Sequence, residues 1–471
     1  MEKPTIILAT SNGVGMGHLA RASAVALALK EVANPIIVSM AGGIAEVPSF
    51  MGIRCEYIPG RDRMWMSREK WDIYLRDRLL ALVEETGAKV LSFDGVVPYP
   101  GVIAAKNANP ILKLVWVRRG LWQKKPQRFI LGLQSKMMDR IIEPGDIARA
   151  YDFGPTANRK DSVLTAPVSL FRKEDALSRD DARRALGLDL NRPTALVQLG
   201  TGDSDVNEKM TAALSGLIGW KDLQVILTKA PVDKDGKSLV PEGLDLKVVR
   251  YFPLANVLHA FDAGICATGY NGVHELLPAQ VPTVFVSNIR GTDDQEARAK
   301  WCNDFGFALR ADQADLADIT EKVKMLQDPV VRKGLSDKCA ELPNTTGGQE
   351  IAAMLYQLAV EQKPARAKTF TFVRLMAQDH INRGLRHVAN LGLRRVALVY
   401  RFLNPHIKVQ EIDQAPPVFG AHITAAELHP LIKSATRFEH MIEGASDDYR
   451  KRREEIAFAA YGKEMIVTKT K

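Results

Sequence analysis

Apolar positions in the first third of the chain form short runs that alternate with longer stretches of helical spacing. The short runs predict buried strands at Thr5–Ala9, Pro35–Met40, Lys89–Phe93 and Leu112–Val117. A strongly apolar stretch at Leu19–Leu29 predicts the first helix. Alternation of this kind indicates βαβ units, and therefore a parallel sheet with helices on its faces. We expect this first domain to span residues 1–165.

The same pattern restarts near residue 193. It predicts strands at Thr194–Leu199, Leu223–Leu227, Leu246–Val249, Ala263–Ala267 and Thr283–Val286. A chain of 471 residues is too long for one ordinary core, so two successive doubly wound α/β domains are expected. The second spans residues 166–362. From residue 363 to 471 the pattern changes to a mainly helical, basic extension.

Candidate chemistry concentrates between residues 266 and 295. The strand Ala263–Ala267 ends in a glycine-containing turn, and a helix is predicted to begin at about Asn271. Free backbone N–H groups and the positive end of a helix dipole favour an anion at such a turn. Glu275 can accept two hydrogen bonds from a ribose diol, and Asp294 and Gln295 can contact sugar hydroxyls. The segment therefore predicts a nucleotide-sugar site.

A second glycine turn, within SNGVGMGHLAR, joins the first strand to the first helix. Its spacing differs from the GxGxxG dinucleotide fingerprint, which disfavours NAD or FAD. His18 lies where open α/β folds bind ligands, and a neutral imidazole there suits a general base. Arg21, one turn further on, either reaches a diphosphate or pairs with an acid. Asp94, at the end of another strand, either positions an acceptor hydroxyl or caps the next helix.

The turn Gly200-Thr201-Gly202 is a third candidate for phosphate contact. The triplet Asp203-Ser204-Asp205 behind it has the DxD form that binds metal in many sugar-nucleotide enzymes, but Asp205 is expected to cap a helix. We therefore expect no metal site. Tyr251 and Phe252 end a strand, where they either pack on a base or belong to the core.

The net charge of +9 is concentrated in one region. Residues 363–408 contain ten Lys and Arg but one acid, so the rest of the chain is balanced. A basic amphipathic segment either lies on an anionic membrane surface or docks its apolar side on the two domains, and both are open. Without a recognised nucleic-acid motif, no nucleic-acid partner is expected.

Four scattered cysteines without CxxC spacing indicate reduced thiols. The chain has no apolar run of membrane-spanning length, and MEKPTIILAT enters a strand directly, so a secretory signal is not expected. These features favour a cytoplasmic protein, peripheral at the inner face of the cell membrane.

Several segments, in this order, resemble GT-B glycosyltransferases. They are GMGHLARASAVALAL, GVVPYPG, LTAPV, GTG and GYNGVHELLPAQVPTVFV with the later TDDQ. The nearest branch is family 28, which includes the peptidoglycan lipid-intermediate N-acetylglucosaminyltransferase and the monogalactosyldiacylglycerol synthases. The resemblance covers roughly residues 4–360.

The resemblance implies two Rossmann-like domains facing a cleft and a UDP-sugar donor held mainly by the second. Glu275 would bind ribose, Asp294 and Gln295 would meet the sugar, and His18 would lie near the reacting centre. The donor-binding turns would supply Gly17, Gly269, Tyr270, Asn271, Gly272 and Val273. A hexose or N-acetylhexosamine would pass to a lipid-linked or cell-envelope glycan acceptor with inversion, without cofactor or required metal.

Two departures leave the acceptor open. Leu19-Ala20-Arg21 stands where the peptidoglycan enzyme has a proline and aromatic residues, and the GHxxR pattern also resembles a UDP-sugar hydrolase of nonulosonic-acid synthesis. The extension after residue 362 has no counterpart in compact family members. A UDP-sugar hydrolase or epimerase and a non-catalytic nucleotide-sugar-binding protein therefore remain alternatives.

Overall fold

A computed structural model describes residues 2–11, 16–40, 51–61, 66, 68–124, 129–200, 204–228, 238, 240–289, 291–362, 365, 367–378 and 381. These residues form two parallel β-sheets with helices on their faces. The predicted fold class, two doubly wound α/β units, is confirmed for this part of the chain.

The first sheet has the strand order β3-β2-β1-β4-β5-β6-β7. Its strands are β1 (Thr5–Thr10), β2 (Asn34–Ser39), β3 (Arg54–Tyr57), β4 (Val90–Asp94), β5 (Lys113–Val117), β6 (Arg140–Glu143) and β7 (Val163–Leu164). Its helices are α1 (Gly17–Leu29), α2 (Arg68–Thr86), α3 (Pro100–Ala108) and α4 (Phe129–Met137), and a short 3₁₀ helix covers Arg149–Tyr151. The order reverses at β1 and β4, where such sheets open a crevice for ligands.

The second sheet repeats this plan with the order β10-β9-β8-β11-β12-β13. Its strands are β8 (Thr194–Gln198), β9 (Gln224–Leu227), β10 (Asp245–Val248), β11 (Ala263–Ala267), β12 (Thr283–Val286) and β13 (Leu309–Ala311). The helices of this half are α5 (Arg179–Leu186), α6 (Ser204–Ser215), α7 (Tyr270–Leu276), α8 (Gln295–Asp304), α9 (Leu316–Met325), α10 (Pro329–Cys339) and α11 (Gly347–Val360), and a 3₁₀ helix covers Leu254–Ala260.

Alternate side chains of each central strand enter different core clusters, as the period of a strand requires. Ile6 and Leu8 of β1 pack with α1, whereas Ile7 and Ala9 pack on the opposite face of the sheet. Both faces are covered, which explains why these strands read as continuous apolar runs. Strands β3, β6, β7 and β13 were not predicted, because they are short and β3, β6 and β13 interrupt their apolar residues with Arg or Glu.

Helix α11 lies at the end of the predicted second domain, yet it packs against α1, β1 and β4 of the first sheet. Helices α11 and α1 are in contact at Gly348, where a Cβ would make an ordinary van der Waals contact 3.4 Å from the Ala24 carbonyl oxygen. Lys113 Nζ donates to the carbonyls of Leu358 at 2.8 Å and Glu361 at 3.1 Å, so a cation stabilises the C-terminal end of α11. The last helix thus ties the two halves together.

The extension predicted for residues 363–408 lies mostly outside the described residues. In its described part, Leu375 is buried against the first domain, and Phe372 and Met376 pack on the same cluster. Phe370 and Val373 are 81% and 59% exposed. Nowhere in the described part of the chain does a helix combine the length and hydropathy needed to cross a membrane. All four cysteines are buried and free in this structure.

Candidate active site in the interdomain cleft

His18 and Asp94 meet at the carboxyl edge of the first sheet. Strands β1 and β4 pair in parallel with Thr10 opposite Asp94, and α1 begins one residue before His18. The carboxyl ends of adjacent strands therefore bring the two side chains together, with His18 Nδ1 2.6 Å from Asp94 Oδ1. The alternative that Asp94 caps the next helix is wrong, because α3 begins at Pro100 with Tyr99 at its N-cap.

Arg21 completes this cluster. Its Nε donates to Asp94 Oδ2 at 3.0 Å and its Nη2 to Oδ1 at 2.6 Å, a bidentate ion pair. Only 3% of the Arg21 side chain is exposed, and the guanidinium lies 5.1 Å from the ring centroid of Tyr270 in the second domain. Of the two roles predicted for Arg21, the structure shows pairing with an acid.

The protonation states follow from this geometry. Burial alone would raise the pKa of Asp94, but Arg21 and His18 hold it below its usual value. Burial lowers the pKa of His18, and the hydrogen bond to Asp94 opposes that effect only in part. His18 Nδ1 lies 2.6 Å from Asp94 Oδ1 and 2.8 Å from Arg21 Nη2. Because an ionised carboxylate only accepts hydrogen bonds, the shorter contact favours the neutral tautomer with its proton on Nδ1. Its Nε2 then keeps a free lone pair, as a general base requires.

The second domain reaches this cluster through α7. Asn271 Nδ2 donates to the carbonyl of Gly17 at 3.3 Å, across the cleft. The Asn271 Oδ1 is buried and has no hydrogen-bond partner among the described residues. Gly272 allows α7 to lie close to β11, since a Cβ there would be 3.3 Å from the Ala267 carbonyl oxygen. The predicted residues Gly17 and Asn271 are thus brought together.

Other predicted donor-turn residues are already engaged within the protein. The Gly269 N–H donates to the Ala267 carbonyl at 2.8 Å, and the Val273 N–H donates to the Gly269 carbonyl at 3.2 Å. The Val273 side chain is fully buried in the core. Contact of these two residues with a donor therefore stays a prediction.

Tyr270 is a structural anchor. Its hydroxyl donates to the Gly145 carbonyl at 2.7 Å and accepts from the Val168 N–H at 2.9 Å. Burial raises the pKa of this phenol, so it remains a neutral donor. Behind it, His274 Nδ1 donates to the Tyr270 carbonyl at 2.7 Å, and its Nε2 accepts from the Ile147 N–H at 3.1 Å.

Glu275 remains available for a ligand. Its carboxyl group has no hydrogen-bond partner among those recorded for the described residues, and burial raises its pKa to about 8. A partly buried carboxyl group without a protein partner is costly to ionise, and a hydroxyl-bearing ligand supplies the missing hydrogen bonds. This environment suits the predicted ribose contact, which stays a prediction.

Asp294 and Gln295 are used locally. Asp294 caps α8, with Oδ1 accepting from the Ala297 N–H at 3.0 Å. Gln295 Oε1 accepts from the Asn288 N–H at 2.9 Å, and its Nε2 donates to Asp293 at 3.3 Å. The predicted sugar contacts therefore require at least one of these side chains to share or exchange its partners.

The sequence did not reveal a buried charge network centred on Arg298. Arg298 is bidentate to Asp146 of the first half, with Nη2 2.8 Å from Oδ2 and Nε 3.3 Å from Oδ1, and it donates to the Thr268 carbonyl at 2.8 Å. It also lies 3.0 Å from Asp293, which is 3.4 Å from Arg119. Burial would raise the pKa of Asp293, but Arg119 and Arg298 lower it to about 2.

One strand-end signal bears on this network. Arg119 follows β5 at the same sheet edge as Asp94, so the rule that placed Asp94 in the cleft also indicates Arg119. No local signal links Asp146 to Arg298, because 152 residues separate them.

The other predicted site residues, at the turn after β8 and at Tyr251 and Phe252, show no contact with the His18–Asp94 cluster among the described residues. Gly200 ends β8 with a φ of 101°, a conformation that favours glycine, whereas Thr201, Gly202 and Asp203 lie outside the described residues. Asp205 lies in the first turn of α6, paired with Lys209 at 2.8 Å, and does not cap the helix. Tyr251 and Phe252 are half-buried against the core. Among the described residues, no cluster of three His, Cys, Asp or Glu is arranged to hold a metal.

Two parallel sheets of the same order, meeting at a cleft that holds His18 and Asp94, define the GT-B architecture. The solved spinosyn forosaminyltransferase SpnP shares this fold, with a TM-score of 0.51 and 16% identity, over 76% of this chain and 99% of that chain. The predicted fold resemblance is therefore confirmed.

Several sequence relatives carry the name UDP-N-acetylglucosamine–N-acetylmuramyl-(pentapeptide) pyrophosphoryl-undecaprenol N-acetylglucosamine transferase, and another, from Lentzea aerocolonigenes, is named 4'-demethylrebeccamycin synthase. The protein of Nocardioides sp. is 33% identical over 233 residues, which are 48% of this chain and 60% of that relative. That of Rhodococcus opacus is 23% identical over 402 residues, 78% of this chain and 99% of its own length. The chain thus spans less than two thirds of the first relative. No family model matches.

Proposed function

We propose that the protein is a UDP-sugar-dependent glycosyltransferase that moves a hexose or N-acetylhexosamine to a hydroxyl of a lipid-linked or cell-envelope acceptor. The observation that carries the proposal is the 2.6 Å contact between His18 and Asp94 at the crevice of the first sheet. The name that several relatives share supports an N-acetylglucosamine donor and a lipid diphosphate acceptor.

In the proposed reaction, His18 Nε2 accepts the proton of the acceptor hydroxyl while that oxygen attacks the anomeric carbon. The bond from this carbon to the diphosphate oxygen breaks, and UDP leaves with the bonding electrons. A single displacement inverts the anomeric centre. Asp94 holds the imidazole through Nδ1 and stabilises the imidazolium that forms. Protein donors stabilise the leaving diphosphate, so no divalent metal is required.

Donor recognition in this proposal follows the family pattern. Glu275 binds the ribose diol, the turns at Gly200-Thr201-Gly202 and Gly269–Val273 contact the diphosphate, and Asp294 and Gln295 meet the sugar. Binding therefore requires at least one of Asp294 and Gln295 to share or exchange its partner, because both now accept from backbone N–H groups.

Product analysis of the full-length protein tests the proposal. UDP-N-acetylglucosamine is incubated with and without a bacterial lipid extract, in EDTA, and both UDP and the sugar product are measured. Lipid-dependent UDP release with transfer of label to lipid is the expected result. Equal UDP release without lipid indicates a hydrolase, and an isomerised sugar indicates an epimerase; either overturns the transferase.

A matched pair of variants tests the base. His18→Gln should lower turnover by about 10²- to 10⁴-fold. The control is His259→Gln, because His259 bonds only to the Leu177 carbonyl among recorded partners, at 3.1 Å and outside the cleft cluster. If the wild-type protein binds UDP but shows no turnover, a non-catalytic role is favoured. If turnover is equal in His18→Gln and His259→Gln, another residue is the base.

We also propose that the extension places the protein at the anionic, cytoplasmic face of the membrane. Residues 363–408 contain ten cationic side chains and one acid. In the described part, Leu375 docks on the first domain while Phe370 and Val373 remain exposed. Within residues 367–378, one side thus packs on the protein and the other presents apolar surface, which is the arrangement that interfacial binding uses.

A further inference from the structure

Two adjacent arginines follow β5, and they differ in their partners. Arg118 is fully buried, lies 2.7 Å from Asp161, and has its guanidinium carbon 5.3 Å from the Trp116 ring centroid. Arg119 instead lies 3.4 Å from Asp293, which belongs to the second half of the chain. Arg118 has a bidentate carboxylate partner within the first domain, although its Nε is also buried without a partner among the described residues. The Arg119 guanidinium, in contrast, has no hydrogen bond recorded among the described residues and only the longer contact with Asp293.

Arg119 has hydrogen-bonding capacity that the described residues do not use. A guanidinium has five N–H donors. Its nearest recorded acid is Asp293, but Arg298 lies closer to that carboxylate, at 3.0 Å against 3.4 Å. The Arg119 Nε is buried without any hydrogen-bond partner among the described residues. A desolvated donor left unpaired is costly, and a bound anion removes that cost.

The charges around Arg119 favour an anion. Arg21 and Arg298 each have a carboxylate of their own, Asp94 and Asp146, in bidentate contact. Burial, together with the charges of Arg21 and Arg298, lowers the pKa of Arg119 although Asp293 opposes this. The charge of Arg119 is also among those that lower the pKa of His18, which places it near the candidate base.

We propose that Arg119 binds a phosphate oxygen in the cleft, beside the reacting centre. The planar fork of a guanidinium matches two phosphate oxygens, and a desolvated site strengthens such contacts. This assignment rests on the proposed function. Two sources supply the same chemistry: the diphosphate of the UDP donor, or a phosphate group carried by the acceptor.

Isothermal titration calorimetry on the protein tests the assignment. The affinities for UDP and for uridine are measured separately, and the affinity for inorganic pyrophosphate is measured in the presence of saturating UDP. If the donor diphosphate is the source, Arg119→Met lowers the affinity for UDP by about 10- to 100-fold and leaves the affinity for uridine unchanged. If the acceptor phosphate is the source, Arg119→Met lowers the affinity for pyrophosphate by a similar factor and leaves the affinity for UDP unchanged. Arg119→Lys, which keeps the charge, should lose less in either case.

Arg310→Met serves as the control, because Arg310 pairs with Glu296 and is a second-domain cation with no recorded contact to the cleft cluster. Unchanged affinities for both UDP and pyrophosphate in Arg119→Met and Arg119→Lys overturn the assignment and leave Arg119 as a partner of Asp293 alone. Failure of the wild-type protein to bind UDP instead overturns the proposed function. The two failures are therefore distinguishable.

Discussion

Replacing Arg298 by Met tests how the two halves of the molecule are held together. The guanidinium is fully buried and joins Asp146 of the first half to Asp293 and the Thr268 carbonyl of the second. Methionine keeps much of the apolar stem but removes every one of these donors. Asp146, whose side chain is 4% exposed, is then left as a buried carboxylate without its bidentate partner.

The expected cost is large. Removing one member of a buried ion pair typically destabilises a protein by about 3–5 kcal/mol, since the other charge remains buried. For a cooperative unit of about 200 residues this corresponds to a fall in melting temperature on the order of 10 °C. Arg310→Met is the matched control: Arg310 and Glu296 are 34% and 39% exposed, and such a surface pair contributes about 0–1 kcal/mol.

The pH dependence distinguishes this mechanism from simple loss of packing. In the wild-type protein burial alone would raise the pKa of Asp146, but Arg298 holds it below its usual value. The ion pair therefore stabilises the folded protein fully above the unfolded-state pKa near 4, and this contribution is lost as the pH falls through the lower pKa of the folded state. In Arg298→Met the pKa of Asp146 should rise, and protonation then relieves the buried charge. The difference between the two proteins should therefore shrink between pH 7 and pH 4.5.

Urea unfolding followed by tryptophan fluorescence at both pH values measures this difference. A loss below about 1 kcal/mol at pH 7, equal to that of the control, would refute the reasoning. So would a loss of 3 kcal/mol or more that does not change with pH, because it would indicate packing and not charge. The double variant Arg298→Met, Asp146→Asn should recover part of the stability.

Three further predictions follow from the cleft and the extension. Asp94→Asn removes a charge that raises the pKa of His18, so turnover should fall by roughly 10²-fold or more while the acid limb of the pH–rate profile moves to lower pH. An unshifted limb would show that Asp94 does not act on His18. The pKa of Glu275 in the folded protein is about 8, so its carboxyl group lowers the free energy of unfolding little below pH 4.5 and most above pH 8. Glu275→Gln should therefore be more stable than wild type at pH 8, by at most about 4 kcal/mol and by less where solvent reaches the partly buried side chain, and equal to it near pH 4.5, while binding UDP more weakly. Phe370→Ser with Val373→Ser should reduce sedimentation with phosphatidylglycerol vesicles, with Leu316→Ser, an exposed position of the second domain, as control. Equal sedimentation of both variants would remove these two side chains from the membrane contact.

Local patterns accounted for the sheet centres and for several site residues. The strands β1, β4, β8 and β11 were predictable because both of their faces are buried, which leaves continuous apolar runs in the sequence. The edge strand β3 was not, because Glu56 is buried by pairing with Arg54, 2.8 Å away, and not by being apolar. An ion pair of this kind has no signature in hydrophobic periodicity.

The candidate site divides in the same way. His18 and Asp94 could be proposed from sequence because each follows a strand, and parallel strands end at one edge of a sheet. Whether Arg21 meets a ligand or an acid depended on which carboxylate lay beside it, and that carboxylate is 73 residues away. Asp294 and Gln295 were identified as polar loop residues, but their bonds to Ala297 and Asn288 depend on the loop conformation.

By itself, the sequence determined the two α/β units and the glycine turns, since these follow from periodicities of a few residues. It also indicated the strand-end residue Asp94 and two residues of the helices that follow strands, His18 and Glu275. Only the tertiary structure decided the partners of Arg21, Arg119 and Arg298 and the return of α11 to the first sheet. The physical reason is that a buried charge is stable only beside an opposite charge. The identity of that neighbour depends on how segments more than seventy residues apart pack together.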